Sequence, residues 1–279
     1  MLRFYILVSC FPFFVRNISG QTNNATPIGV NNVFTLGLIN QIHSAALAET
    51  RTLNIYLPES YSHDSTKMYP VIYLLDGSAN EDFIHVVGIV QFLIMIEAMP
   101  EAIVVGIANV DRRRDFTFPT TIEKDKKDFP TTGGSAKFMS FIGNELQPFI
   151  QKNYRCNTVK TIIGQSLGGL FATEVLFKNP DLFDNYIIVS PSLWWDNESL
   201  LALSPGVLNS KAVTLKQVYI SVGSEGKQME EDAKKLGDLM EEMKMKNVKV
   251  IYVPLPEEDH LTILHNSVYK AFELLNVKK

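Results

Sequence analysis

"TVKTIIGQSLGGLFATEVLF", residues Thr158 to Phe177, sets a serine between two glycines, with an apolar run before it and a helical pattern after. Val159 to Ile163 is short and rich in β-branched residues, as a buried strand is. Leu170, Phe171, Val175 and Leu176 then recur at helical spacing. Gly164-Gln165-Ser166-Leu167-Gly168 therefore falls on a strand-to-helix turn, the context that a G-x-S-x-G nucleophile elbow requires. Glycine is expected at both flanks because a Cβ there would clash in so tight a turn. Ser166 is expected in a strained backbone conformation, with Oγ aimed off the sheet edge.

Working outward, "TRTLNIYLPESY" (Thr50–Tyr61) alternates and breaks at Pro58, which reads as a strand entering a turn. "YPVIYLLDGSAN" (Tyr69–Asn80) and "AIVVGIANV" (Ala102–Val110) read as buried strands, with the helix-like "FIHVVGIVQFLIMIEA" between them. From Asp111 to Gly134 the chain is charged and punctuated by proline, the pattern of a long loop. "SAKFMSFIGNELQPFIQKNY" has helical spacing, with Ser135 as candidate N-cap. After the elbow helix, "YIIVSPSLWW", "QVYISVGSEG" and "VKVIYVPLPEEDH" read as strands, and "EDAKKLGDLMEEMKMK" and "SVYKAFELL" as helices. Alternation of this kind implies an α/β fold with a mostly parallel central sheet and helices on both faces.

The chain has 279 residues and a formal charge of −4, so nothing points to nucleic acid or an anionic surface. Its beginning, "MLRFYILVSCFPFFVRNISGQTNN", carries an early arginine, an apolar stretch from Phe4 to Val15, then Ser19 and Gly20. This resembles a secretory signal peptide over residues 1–20, with Arg16 placed unusually, and leaves residues 21–279 as one domain. The expected location is periplasmic or secreted, with lipoprotein processing at Cys10 as the rival and no spanning segment in the mature body. Removal of residues 1–20 leaves Cys156 alone, so no intrachain disulfide is expected.

A serine hydroxyl needs a general base and a group that orients the base. With this elbow the chain order is serine, acid, histidine. Of the five histidines, His43, His63 and His85 precede the serine, and His265 lies near or inside the last helix. His260 follows the last strand and is the expected base. Glu225 is the first carboxylate after "VYISVG" and the expected acid; Glu230, Glu231 and Asp232 follow, as a helix start would also have them. The oxyanion donors expected are the amide of Leu167 and that of Gly77 or Ser78 in "LLDGSAN". This chemistry calls for no cofactor and no metal.

"ETRTLNIYLPESY", "YPVIYLLDG", "DRRRDFTFPT", "KFMSFIGNELQPFIQKNYR", "GQSLGGLFA", "SPSLWW", "VGSEG" and "EDH" appear in the order found in the putative-esterase family of α/β-hydrolases. Within it the chain most resembles siderophore esterases that open catecholate triesters. Feruloyl esterases, S-formylglutathione hydrolases and mycolyltransferases are similar in outline. The resemblance implies an α/β-hydrolase fold, Ser166 as nucleophile, His260 as base and Leu167 as oxyanion donor. Some siderophore esterases work with little or no acid, so a Ser166–His260 dyad stands beside the triad with Glu225.

Trp194 and Trp195 follow a strand end, where one can wall an acyl pocket or both can pack in the core. Arg112 and Arg114 would share a side of an extended loop and bind an anionic substrate, or all of Arg112, Arg113 and Arg114 would face water. The partner expected is a small-molecule ester. Acyl transfer to an alcohol, in the manner of the mycolyltransferases, and a general or feruloyl-type esterase are the alternatives.

Overall fold

The computed structural model describes residues 34–203, 214–245 and 248–276. The leader expected at residues 1–20 lies outside them. Residues 36–279 make one compact unit.

Its eight strands are β1 (Leu38–Ser44), β2 (Glu49–Tyr56), β3 (Tyr69–Leu74), β4 (Ile103–Ile107), β5 (Cys156–Gln165), β6 (Asn185–Val189), β7 (Gln217–Gly223) and β8 (Lys249–Leu255). They lie in the order β1-β2-β4-β3-β5-β6-β7-β8. Only β2 runs against its neighbours; from β4 to β8 every pairing is parallel. The helices among the described residues are α1 (Phe83–Met95), α2 (Arg112–Phe116), α3 (Glu123–Asp128), α4 (Ser135–Phe141), α5 (Gln147–Asn153), α6 (Leu167–Lys178), α7 (Ser199–Ala202), α8 (Lys227–Glu242) and α9 (Ile263–Leu275). This is the α/β-hydrolase arrangement.

Strand periodicity explains the two cores. Val71, Tyr73 and Leu75 of the β3 run pack on one face with Leu170 and Phe171 of α6 and Leu236 of α8. Ile72 and Leu74 pack on the other with Val86 and Val90 of α1 and Val268 of α9. Successive side chains alternate between faces, and both faces are covered, so the run reads as continuously apolar.

Three elements differ from expectation. β1 is an edge strand with mostly exposed side chains, so no apolar run marks it. The segment expected as a loop contains α2 and α3; Asp111 starts α2, its Oδ1 accepting from the Arg114 amide at 3.0 Å. Ser135 is the first helical residue of α4 rather than its cap, which is Gly134. From α4 to α5 the helix runs through one π-helical turn, Ile142–Leu146, just before Pro148, which has no N–H to continue the regular ladder.

A buried ion network ties α2 to β2. Arg51 pairs with Asp115 and, at 3.0 Å, with Glu49; Arg114 pairs with Glu49 at 2.6 Å and with Asp115 at 2.8 Å. The Arg51 and Asp115 side chains are each 1% exposed. Removing one partner leaves an uncompensated buried charge. Asp115→Ala is therefore expected to lose about 3–5 kcal/mol of stability in urea denaturation. A loss below about 1 kcal/mol would mean that the network is not holding the two elements together.

Candidate active site

The site is built where β3, β5, β7 and β8 end. At the end of β5 the chain turns directly into α6, and Ser166 sits at the turn with φ 59° and ψ −119°. That left-handed conformation is costly for a residue with a Cβ, and it persists because strand and helix fix both sides of it. A Cβ at Gly164 would lie 2.4 Å from the Gly168 carbonyl oxygen, so glycine is required there. At Gly168 nothing would come nearer than 3.4 Å, so the expected clash applies to one flank only.

His260 Nε2 lies 3.1 Å from Ser166 Oγ, and His260 Nδ1 is hydrogen-bonded to Glu225 Oε2. Glu225 Oε1 takes a hydrogen bond from Ser190 Oγ and another, at 3.0 Å, from the Gly223 amide. Burial alone would raise the Glu225 carboxyl, but the hydrogen bonds from His260, Ser190 and Gly223 outweigh it and hold it below the usual carboxylate range. An ionised carboxylate only accepts, so Nδ1 carries the ring proton and Nε2 is left to accept the Ser166 hydroxyl proton. The structure thus joins Ser166, His260 and Glu225 in one chain of hydrogen bonds.

The other carboxylates serve elsewhere. Glu230 accepts from the amides of Glu225 and Gly226, both at 3.1 Å, and so shapes the loop that presents the acid. Glu231 pairs with Lys227, and Asp232 is buried on α8. His265 packs its ring against that of His85, 6.3 Å between centroids, and the histidine that meets the serine is His260. Glu225→Gln is expected to lower kcat by about 10⁴-fold, because an amide neither fixes the tautomer nor stabilises the imidazolium. Kinetics on any chromogenic ester check this, and a loss under tenfold would reduce the site to a dyad.

Three residues that pattern reading passes over hold the site. Gln165, the elbow residue before the serine, donates its side-chain amide to the His260 carbonyl at 2.6 Å. Ser190 anchors the acid, while Ser192, two residues on, places Oγ 3.3 Å from Ser166 Oγ. "SPS" is the signal that was present, but its two contacts come from 35 and 26 residues away and leave no local trace.

Of the oxyanion donors, the Leu167 amide opens α6 and has no acceptor among the described residues. The Gly77 amide does not fit the role: it donates to the Ile107 carbonyl at 3.0 Å. Gly77 is glycine because a Cβ there would sit 2.3 Å from Gly106 Cα. The next amide, that of Ser78, has no acceptor among the described residues.

The cleft over the serine measures about 510 Å³ and is lined by Ser192, Trp194, Met229, His260 and Leu261, among others. Trp194 thus faces it. Trp195 does not: it is fully buried, with Nε1 donating to the Phe118 carbonyl at 3.0 Å. Arg112 and Arg114 do not form an anion-binding pair. A helix turns by about 100° per residue, so positions two apart in α2 point to nearly opposite sides. Arg112 is forked onto Asp76, at 2.6 and 2.9 Å, and Arg114 onto Glu49, at 3.0 and 2.6 Å.

The model of the family described as "Putative esterase" matches residues 44–260. The chain belongs to this esterase family. The esterase is 28% identical over 277 residues to the Bacillus subtilis protein named "Ferri-bacillibactin esterase BesA", covering 90% of this chain and 94% of that one. Among solved structures, it is similar to the IroE-like serine hydrolase from Shewanella oneidensis, with a TM-score of 0.76 and 29% identity over 86% of this chain and 80% of that one. It is also similar to the BES protein from Bacillus cereus, with a TM-score of 0.78 and 27% identity over 90% of this chain and 99% of that one. The esterase is a hydrolase with an α/β-hydrolase fold, and none of its described helices is long and apolar enough to cross a membrane.

Proposed function

We propose that this esterase opens siderophore esters through a serine acyl-enzyme. The hydrogen-bonded chain from Glu225 through His260 to Ser166, lying under an open cleft, carries the proposal. Ser166 Oγ attacks the ester carbonyl as its proton passes to His260 Nε2. Glu225 stabilises the imidazolium that forms. The amides of Leu167 and Ser78 receive the negative charge on the carbonyl oxygen, a donor of this kind being worth about 3 kcal/mol in the transition state. The tetrahedral intermediate collapses, and His260 returns the proton to the departing alcohol oxygen. A water then attacks the acyl carbonyl as its proton passes to the same nitrogen, and collapse of the second tetrahedral intermediate breaks the bond to Ser166 Oγ, which takes the proton back from His260 as the acid leaves.

The substrate class is supported by the likeness, over nine-tenths of the chain, to a protein named as a ferri-bacillibactin esterase. It is supported too by the rim of the cleft, where Trp194 and Met229 stand with Leu261, whose side chain is 91% exposed beside the catalytic histidine. An apolar group held in water at that place gains area when an aromatic ring covers it. Recognition then rests on this rim rather than on a pair of arginines, since Arg112 and Arg114 point to nearly opposite sides of α2. The test is kcat/KM for a catecholate triester relative to p-nitrophenyl butyrate. The ratio is expected to exceed one in the wild type and to fall roughly tenfold in Trp194→Ala, as for the loss of one aromatic contact. A ratio below one, or unchanged in Trp194→Ala, would remove the siderophore and leave a general esterase.

A further inference from the structure

Arg112 touches both halves of the oxyanion site, and the guanidinium edge it turns to them is taken up by protein groups. Its Nε and one terminal nitrogen clasp the two oxygens of Asp76, and the same terminal nitrogen reaches the Gln165 carbonyl at 3.3 Å. Asp76 stands two residues before Ser78 in the loop that follows β3; Gln165 immediately precedes the nucleophile and so stands two residues before Leu167. Asp76 itself has φ 52°, a conformation that needs outside support in a residue with a Cβ. Asn109 supplies part of that support, its side-chain amide 2.6 Å from Asp76 Oδ1. Asn54 holds the next carbonyl, that of Gly77, at 2.7 Å, and Ile107 takes the Gly77 amide. The turn before Ser78 is thereby held from several sides, while the Ser78 amide has no acceptor among the described residues.

We infer that Arg112 is a positioning residue for the oxyanion hole, setting the distance between the Ser78 and Leu167 amides by clamping the two backbone segments that carry them. This rests on the serine mechanism above. The charge pair suits the task. The Asp76 side chain is 10% exposed and that of Arg112 34%, so the pair is only partly screened by water. A planar guanidinium meeting a carboxylate through two parallel bonds fixes orientation as well as distance. The third bond, to the Gln165 carbonyl, carries that orientation to the elbow. A lysine in this position would keep the charge but lose the fork. Donors misplaced by a few tenths of an ångström still bind a ground-state carbonyl, but they lose the oxyanion, whose charge develops only in the transition state.

The experiment compares Arg112→Lys, Arg112→Gln, Asp76→Asn and the double variant Arg112→Gln/Asp76→Asn with wild type, using p-nitrophenyl butyrate. That ester is neutral, so loss of a substrate-binding cation has no effect on it. Each single variant is expected to lose roughly 10²-fold in kcat with KM within about threefold, the signature of an interaction made only in the transition state. The inhibition constant of an alkyl trifluoromethyl ketone, whose serine adduct places an oxyanion between the two amides, is expected to rise by a similar factor. The double variant is expected to be no slower than the worse single, because both act through one clamp. A change in KM alone, a kcat within about threefold of wild type in both Arg112→Lys and Asp76→Asn, or multiplying losses in the double variant would overturn the inference. Circular dichroism on each variant excludes unfolding as the cause, and Asp76→Asn breaks the clamp with almost no change in volume. Failure of the wild type on a catecholate triester would strike the substrate reading and leave this one standing. A Ser166→Ala protein that still turns over would strike the serine mechanism itself.

Discussion

Ser166→Ala is expected to lose on the order of 10⁶ in kcat and all labelling by a fluorophosphonate, while keeping its fold. The elbow gives the reason. Ser166 Oγ is the group that His260 Nε2 meets at 3.1 Å, and Ser192 Oγ, 3.3 Å further along, has no base of its own. Its neighbour cannot substitute, since Ser192 is 3% exposed and its amide is bonded to the Ser166 carbonyl at 3.0 Å. Removing Oγ therefore leaves only the oxyanion donors and the cleft, which retain a small residual acceleration over water. The backbone is another matter: alanine keeps the Cβ and the same strained φ, so the melting temperature is expected within a few degrees of wild type. Activity within tenfold of wild type, or a fluorophosphonate adduct found by mass spectrometry on Ser192, would move the nucleophile.

The expected site residues that the structure brings together share a property. Ser166, Glu225 and His260 each follow a strand whose apolar run is unmistakable, so strand ends and chain order suffice to bring them together. The residues that sequence misplaced depend on partners far along the chain. Arg112 and Arg114 lie in a charged stretch whose helical turn is short and has no apolar stripe, so extension was the natural expectation. Their carboxylate partners, Asp76 and Glu49, lie 36 and 65 residues away, and no local pattern announces them. Gly77 was half right. Its glycine is required by contact with Gly106, and the same approach consumes its amide and leaves that of Ser78, the other donor expected in this turn, without an acceptor among the described residues. The two adjacent tryptophans lie in a turn beyond β6, where no strand alternation tells which one meets the cleft; Phe129 packs against both rings, at 6.1 and 5.3 Å, and it is Trp195 whose Nε1 is drawn inward to the Phe118 carbonyl, 77 residues away.

His260→Ala is expected to match the loss at Ser166, again on the order of 10⁶ in kcat, with KM little changed. Without Nε2 the hydroxyl proton has no acceptor in line, and the departing alcohol has no donor. Nothing nearby replaces the ring. His265 is on α9 with its ring set at 87° to that of His85, and His265→Ala is expected to leave kcat within about threefold. The loop itself should survive the substitution. Gln165 holds the backbone carbonyl of residue 260 rather than its ring, and Asp259 Oδ1 accepts the amides of Leu261 and Thr262 at 2.8 and 3.1 Å. The decisive measurement is the double variant Ser166→Ala/His260→Ala. Nucleophile and base act on one proton, so removing both should cost no more than removing either. If the two losses multiply instead, His260 works on a step that does not involve Ser166, and the hydrogen bond between them is not the one that catalysis uses.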